Sequence, residues 1–409
     1  MSNHRSDMRG RGHIGANLRR VFRAQRSTSE SEVVRCRPGI VTYTAFATVP
    51  DQRCTASLPL ALHRIRDTRW LNLAPGRGGR FLIPRLAIVA GLVFACAPAR
   101  AQDFTMKFAT QTLNDMQHEY IKVYKTELEK ATNNRIKVEV YPASQLGGAQ
   151  RQTEGLRLGT IEAAIGPVEL FVGADPRFQV PALAGLYKNR EHLERVVQVP
   201  AFRQAIYDVA AARGMVGLSV DAYDMQSFVF RTPVTTVAGF AGKRIRVLAS
   251  EGEQSAVAAL GGSGVPMSLQ EVLPALQQGT IDGVNSVLGV FVAFRYYDAA
   301  PTLVDTALWP ILSVALVSKV WFDRLPPDLK KIVLGTGSKI EPELEKWQVA
   351  RIATDTKAWT DKGKIVKLSP ADQEEAVRRV SAAAQSVVGK SAPLKEFYDK
   401  LKAITASVN

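Results

Sequence analysis

"KRIRVLASEGEQSAVAALGGSGVPMSLQEVLPALQQGTIDGVNS", residues 243–286, decides the fold. A β-branched strand, "KRIRVLA", is followed by one helix around Glu253 to Leu260 and another around Leu269 to Gln278. The Asp282-Gly283 pair closes the stretch with turn chemistry. The same rhythm extends outward in both directions. "FTMKFAT" (Phe104 to Thr110) alternates as a strand should, and the helix after it carries Met116, Tyr120, Ile121, Tyr124 and Leu128 on one face. Asn114 with Gln117 resembles a capping box for that helix. "RIKVEVY" (Arg135 to Tyr141) and "GMVGLSV" (Gly214 to Val220) read as further strands. Strands alternating with helices predict an α/β fold with largely parallel sheets.

After "ILSVALVS" (Ile311 to Ser318) the pattern becomes helical, with Pro326 and Pro327 at a helix start. Gly335 and Gly337 are the soft points there, and "TGSK" (Thr336 to Lys339) reads as a helix interruption, since it lacks the residue order of a phosphate loop. Shorter helices follow from Pro370 to about Thr405.

The formal charge of +15 first suggests a nucleic-acid partner, but +12 of it lies in residues 1–101, which hold 17 Arg and no Lys. The remaining +3 is ordinary for a globular body, and no aromatic-basic recognition motif appears, so nucleic acid is excluded. Within the leader, Arg77, Arg80 and Arg85 precede an apolar run from Leu86 to Ala97 and then Ala99-Arg100-Ala101. These are the three parts of a secretory signal peptide over residues 77–101, with cleavage expected after Ala101 and the mature chain placed in the periplasm. A run of about a dozen residues is too short to span a membrane. Cys96 leaves lipid attachment as an alternative, which Phe94 fits poorly. Residues 1–76 are read as lying outside the native protein or as a disordered basic extension.

Cys36, Cys54 and Cys96 all precede the cleavage site, so the mature chain has no thiol chemistry. Its 308 residues exceed a usual single core, and two domains are expected. His118 and His192 sit in polar stretches and read as solvated. No metal-ligand spacing, nucleophile elbow or triad stands out, so neither metal nor cofactor is expected and an enzyme reading has little support. A ligand held in an interdomain cleft remains.

Four segments then carry a resemblance. "YPASQLGGAQRQTEGLRLGTIEAAI", "FAGKRIRV", "GVPMSLQEVLPALQQGTIDGVNS" and "SKVWFDRLPPDLKKIV" follow, in order, the pattern of the substrate-binding proteins of TRAP transporters, the DctP-type family. The resemblance runs over most of Phe104 to about Lys402. It implies a two-domain periplasmic-binding-protein fold (type II-like) with hinge strands and a long helix spanning both domains. The domains would be 102–225 with 314–353, and 226–313 with 354–409. It also implies delivery of an organic acid to TRAP membrane subunits. An exported enzyme acting on a small carboxylate, or a ligand-binding protein of a sensory system, stays open as an alternative.

Arg246 aligns with the family arginine that grips the substrate carboxylate; its planar, permanently charged fork suits that partner. Strand alternation puts Arg244 on the same face. Gln226 or Met225 stands where many members carry a second arginine, and Asn285-Ser286-Val287 replaces a common Glu-Asn-Pro. Both departures favour a monocarboxylate. Strand ends bind ligands in open α/β sheets, which adds Gln111, Asn114, Glu169, Phe171, Tyr223, Asn285, Ser286 and Trp309 as contacts. A monomer is expected.

Overall fold

In the computed structural model the described residues are 103–409. The expected leader, its cleavage site and the three cysteines lie outside them. Two mixed sheets form the frame. In chain order the first half runs β1 (Phe104–Thr110), α1 (Met116–Ala131), β2 (Ile136–Tyr141), α2 (Ala149–Leu158) and β3 (Ala163–Pro167). Two 3-10 turns (Val168–Phe171 and Pro176–Ala182), α3 (Arg190–Val197), α4 (Pro200–Ala211) and β4 (Met215–Met225) follow. Next come β5 (Ser227–Phe230), β6 (Arg244–Val247), α5 (Glu251–Ala259), β7 (Ser263–Pro266), α6 (Leu269–Gln278), β8 (Gly283–Ser286), α7 (Leu288–Ala293) and β9 (Thr302–Asp305). The chain ends with β10 (Pro310–Ser318), α8 (Lys319–Asp323), α9 (Pro327–Thr360), β11 (Lys364–Lys367), α10 (Pro370–Val388) and α11 (Ala392–Ala406).

The first sheet has the order β2-β1-β3-β10-β4 and the second β11-β9-β5-β8-β6-β7. The expectation of largely parallel sheets holds for β1 with β2 and β3 and for β6 with β7 and β8. It fails where the chain crosses between sheets: β10 runs antiparallel to β3 and β4, and β5 antiparallel to β8 and β9. β10 enters the first sheet at Pro310, and every one of its residues is buried. A strand covered on both faces reads as a continuous apolar run, which is how "PILSVALVS" reads.

The core of the first sheet is aromatic: the Phe108 ring meets Tyr124 edge-on at 5.5 Å, and Tyr120 stacks on Tyr124 at 5.9 Å. Burying such a ring stabilises the fold by about 2–3 kcal/mol. α9 is one unbroken helix of 34 residues, about 50 Å long. The expected interruption at Thr336 to Lys339 is absent, because Gly335 faces open space while Gly337 lets the helix approach the Leu218 carbonyl. Near its start α9 accepts a hydrogen bond from Tyr124 Oη at the Val333 carbonyl (2.8 Å); near its end Trp359 packs on Phe291 and Tyr297 at 5.9 and 5.8 Å. It thus braces the helices of both sheets.

The two crossings lie side by side. Gln226 separates β4 from β5, the Thr306–Trp309 segment separates β9 from β10, and the Gln226 backbone N–H donates to the Trp309 carbonyl (2.7 Å).

Candidate functional site

β6 pairs with β7 and β8, so Arg246 stands opposite Val265 and Val284 with Ile245 and Val247 buried on either side of it. Alternation sends Ile245 and Val247 into the core and the Arg246 side chain to the opposite face. That face opens on a cleft of about 560 Å³, within the usual range for a small-molecule site. Arg246 is 2 % exposed; its Nε donates to the Met267 carbonyl (3.0 Å), and no carboxylate among the described residues pairs with it. Burial pushes its pKa down, opposed by Tyr296 and Glu253. A guanidinium does not lose its proton for that, so the site holds a buried positive charge with unused donors.

Arg244, expected on the same face, behaves differently. It lies exposed at the strand's start and forms a bidentate pair with Asp282, Nε to Oδ2 at 3.0 Å and Nη2 to Oδ1 at 2.9 Å. Its charge is spent on the Asp282-Gly283 turn.

Of the residues expected at the site, Gln111, Glu169 and Arg246 line the main cleft. Gln111, Tyr223, Ser286 and Arg246 line a small extension of about 20 Å³ behind it. Glu169 and Trp309 share a further recess of about 10 Å³ with Glu253. Gln226 reaches the site indirectly: its Nε2 donates to Glu253 Oε1 (2.7 Å) and to the Pro310 carbonyl (3.3 Å). Asn285 is buried and donates to the Ser227 carbonyl (3.1 Å), outside the cleft wall. Two residues do not belong. Asn114 is exposed with a left-handed backbone (φ 55°), and Phe171 is core, packed on Phe178 at 5.7 Å.

Neighbouring expectations also change. Asp115, not Asn114, caps α1, accepting from the His118 N–H at 3.0 Å. His118 and His192 are 8 % and 2 % exposed rather than solvated. His118 Nδ1 accepts from the Asn114 N–H, and His192 Nδ1 from the Lys188 N–H.

Sequence reasoning missed one wall altogether. Gln150, Thr153, Glu154 and Arg157 follow the i, i+3, i+4, i+7 spacing of one face of α2 and line the cleft together. Their polar stripe at helical spacing was the available signal. Glu253 was hidden by its setting, because Ser250-x-x-Glu253 reads as a capping box. The Ser250 hydroxyl does accept from the Glu253 N–H (3.2 Å), but the Glu253 carboxylate turns inward. Its Oε2 accepts from the Leu248 N–H (2.6 Å) and its Oε1 from Gln226. The Trp309 indole lies close enough to favour the ionised form of Glu253 without a hydrogen bond of proper geometry.

Several buried atoms at or beside the cleft are left without a partner: both oxygens of Glu169, Oε1 of Gln226, Oδ1 of Asn285 and Nε1 of Trp309. Buried polar groups are normally satisfied, so this concentration marks a place prepared for something else. Among the described residues no group of three or more His, Cys, Asp or Glu could hold a metal, and no helix is long and apolar enough to cross a membrane.

Two sheets crossed twice, with a polar cleft between strand ends, are the frame of a solute-binding protein. The chain matches the family described as "Bacterial extracellular solute-binding protein, family 7" over residues 108–390, and it belongs to that family, the substrate-binding proteins of TRAP transporters. Members of the family are periplasmic solute-binding proteins, not enzymes. The chain is 26% identical to the 2,3-diketo-L-gulonate-binding periplasmic protein of Escherichia coli, covering 61% of this chain and 76% of that one. It is 27% identical to the C4-dicarboxylate-binding periplasmic protein of Rhodobacter capsulatus, covering 57% and 70%. Its fold matches that of a TRAP periplasmic solute-binding protein from Desulfovibrio salexigens solved with orotic acid, with a TM-score of 0.71, 19% identity, and 75% and 99% of the two chains covered.

Proposed function

We propose that this protein captures a small organic acid in the cleft, with Arg246 gripping its carboxylate, and hands it to the membrane subunits of a TRAP transporter. The observation that carries the reading is the unpaired, buried guanidinium of Arg246, which an incoming carboxylate would complete. The acids named for the relatives, a diketogulonate, a C4-dicarboxylate and orotic acid, support that class.

A single carboxylate with a polar, uncharged body suits the cleft best. The second cation lining it, Arg157, lies exposed on the rim, and Glu154, Glu169 and Glu271 line the same space. We also assign export with cleavage after Ala101, action as a monomer, and two lobes that meet at Gln226 and Thr306–Trp309. Closure of the lobes about those crossings would seal the cleft over the solute.

A thermal-shift screen of organic acids on residues 102–409 tests this. A ligand that binds only the folded state at 100 times its Kd stabilises it by about 2.7 kcal/mol. Acids are expected to raise the melting temperature and neutral sugars to leave it unchanged. A screen in which only amines or neutral sugars act overturns the reading.

A further inference from the structure

Glu169 follows β3 directly, on the 3-10 turn Val168–Phe171, and is 4 % exposed. Among the described residues neither of its oxygens has a hydrogen-bond partner, and no Lys or Arg pairs with it. Glu169 lines both the main cleft and the recess it shares with Glu253, and its two carboxyl oxygens are buried. That recess, about 10 Å³, is at the lower limit for one water.

The two carboxyls are treated oppositely by their surroundings. Both oxygens of Glu253 receive donors, from Gln226 Nε2 and the Leu248 N–H, and the charge of Arg246 favours its ionised form. Glu169 receives none of this. Of its neighbours, the Tyr187 hydroxyl is committed to the Pro181 carbonyl and Gln179 Oε1 accepts from the Gly252 N–H. The Gln179 amide, the Ser250 hydroxyl and the Trp309 indole line the recess without a hydrogen bond to Glu169. α10 contributes only Val380 and Ala384 to the recess. Elsewhere in the cleft, Glu154 and Arg157 on α2 and Glu271 on α6 are exposed. A buried carboxylate without a hydrogen bond among the described residues, beside a second carboxylate, is an arrangement that a proton resolves. Burial pushes the pKa of Glu169 well up and the Glu253 charge adds to this; burial also raises Glu253, but its hydrogen bonds and Arg246 oppose the rise. Paired carboxyls driven apart by their surroundings divide the roles of acid and base between them.

We propose that Glu169 meets the solute as a neutral carboxylic acid, donating its O–H to an acceptor oxygen of the bound acid, so that the site selects against solutes that place an ammonium group there. This rests on the carboxylate reading of Arg246: an anion on Arg246 brings more negative charge toward the pair and holds the proton on Glu169. Glu169 is then a specificity-determining residue, and capture is linked to its proton. The competent form exists below the raised pKa of Glu169, so affinity is lost as pH rises through it.

The test uses Glu169→Gln, which keeps shape and neutrality but cannot ionise. Without any ligand, an infrared difference spectrum of wild type minus E169Q at neutral pH is expected to contain the carbonyl band of a protonated carboxylic acid; its absence overturns the proposal. Melting temperature gives a second ligand-free readout. A raised folded-state pKa contributes stability below the unfolded value of 4.5 that is lost as pH climbs toward the folded one. Wild type should therefore weaken relative to E169Q as pH rises above that value, and a constant difference overturns the proposal.

With succinate, orotate and 2,3-diketo-L-gulonate as probes, calorimetry reads the pH dependence of Kd for wild type and E169Q. Wild type alone should lose affinity as pH rises through the raised pKa of Glu169, by up to about tenfold per pH unit. A folded E169Q that shows the same loss as wild type with rising pH overturns the proposal, as does a wild type whose affinity does not fall. So does L-aspartate binding that E169Q abolishes, since that requires an ionised Glu169 on an ammonium. Arg246→Ala separates the two readings: unchanged probe affinity there sinks the carboxylate grip and leaves the infrared band to decide Glu169.

Discussion

Two clusters of buried polar side chains lie near the sheet crossings, one complete and one open. In the first, Thr112 Oγ1 donates to Asp115 Oδ1 (2.7 Å), Tyr223 Oη donates to Asp115 Oδ2 (3.0 Å), and Gln117 Nε2 donates to Ser313 Oγ (2.8 Å). Their side-chain polar atoms all find partners. In the second, around Arg246, Glu169, Gln226 and Trp309, several do not. Each holds a buried carboxylate and a glutamine, so those residue types alone do not separate structure from site; completeness of hydrogen bonding does. A satisfied network fixes a fold, and an unsatisfied one is held open by the fold around it.

Removing Arg246 strikes the open cluster hardest. Arg246→Ala should weaken binding of the native acid by about 3–5 kcal/mol, the scale of breaking a buried charge pair, read by calorimetry. Arg246→Lys should fail as well, because a point charge cannot reproduce the fork, whereas Arg244→Ala should leave affinity unchanged. Equal losses at Arg244 and Arg246 would erase the distinction between them.

On the structural side, Gly337→Ala places a Cβ 2.5 Å from the Leu218 carbonyl oxygen, a backbone atom that cannot turn away. It should cost about 1–3 kcal/mol in denaturant unfolding. Tyr223→Phe removes one donor from buried Asp115 and should cost about 1 kcal/mol of stability. Tyr223 also lines the extension behind Arg246, so a large loss of affinity without loss of stability would move it from the closed cluster to the open one. Smallest is Gly335→Ala, where a Cβ meets nothing within 4 Å; helix propensity alone should add about 0.5–1 kcal/mol.

Much of the frame was legible because it rests on periodicity. "FTMKFAT" alternates and is β1 to the residue, and the helical period after Pro327 predicts α9. The glycines misled, since propensity weighs a glycine as weakness and cannot see the Leu218 carbonyl pressed against it. Strand direction was misjudged for another reason: crossing strands pair with elements distant in sequence, and no local pattern encodes that.

For the site, the strand-end rule gives position but not direction. It places Asn114 and Phe171 near the cleft, yet the left-handed backbone of Asn114 leaves that residue exposed and Phe171 is buried against Phe178. Arg246 was found through resemblance; that no carboxylate among the described residues forms an ion pair with it is a fact of three dimensions. Glu253 was concealed by a capping pattern that is itself real.

Gln226 occupies an unusual place in this arrangement. Its backbone ties the two crossings together through Trp309, while its side chain reaches Glu253 at the cleft. A lever moves least at its fulcrum. In the proposed closure of the lobes, a side chain rooted at the pivot would keep its hold on Glu253, so the charge state beside Arg246 would be set before the jaws swing.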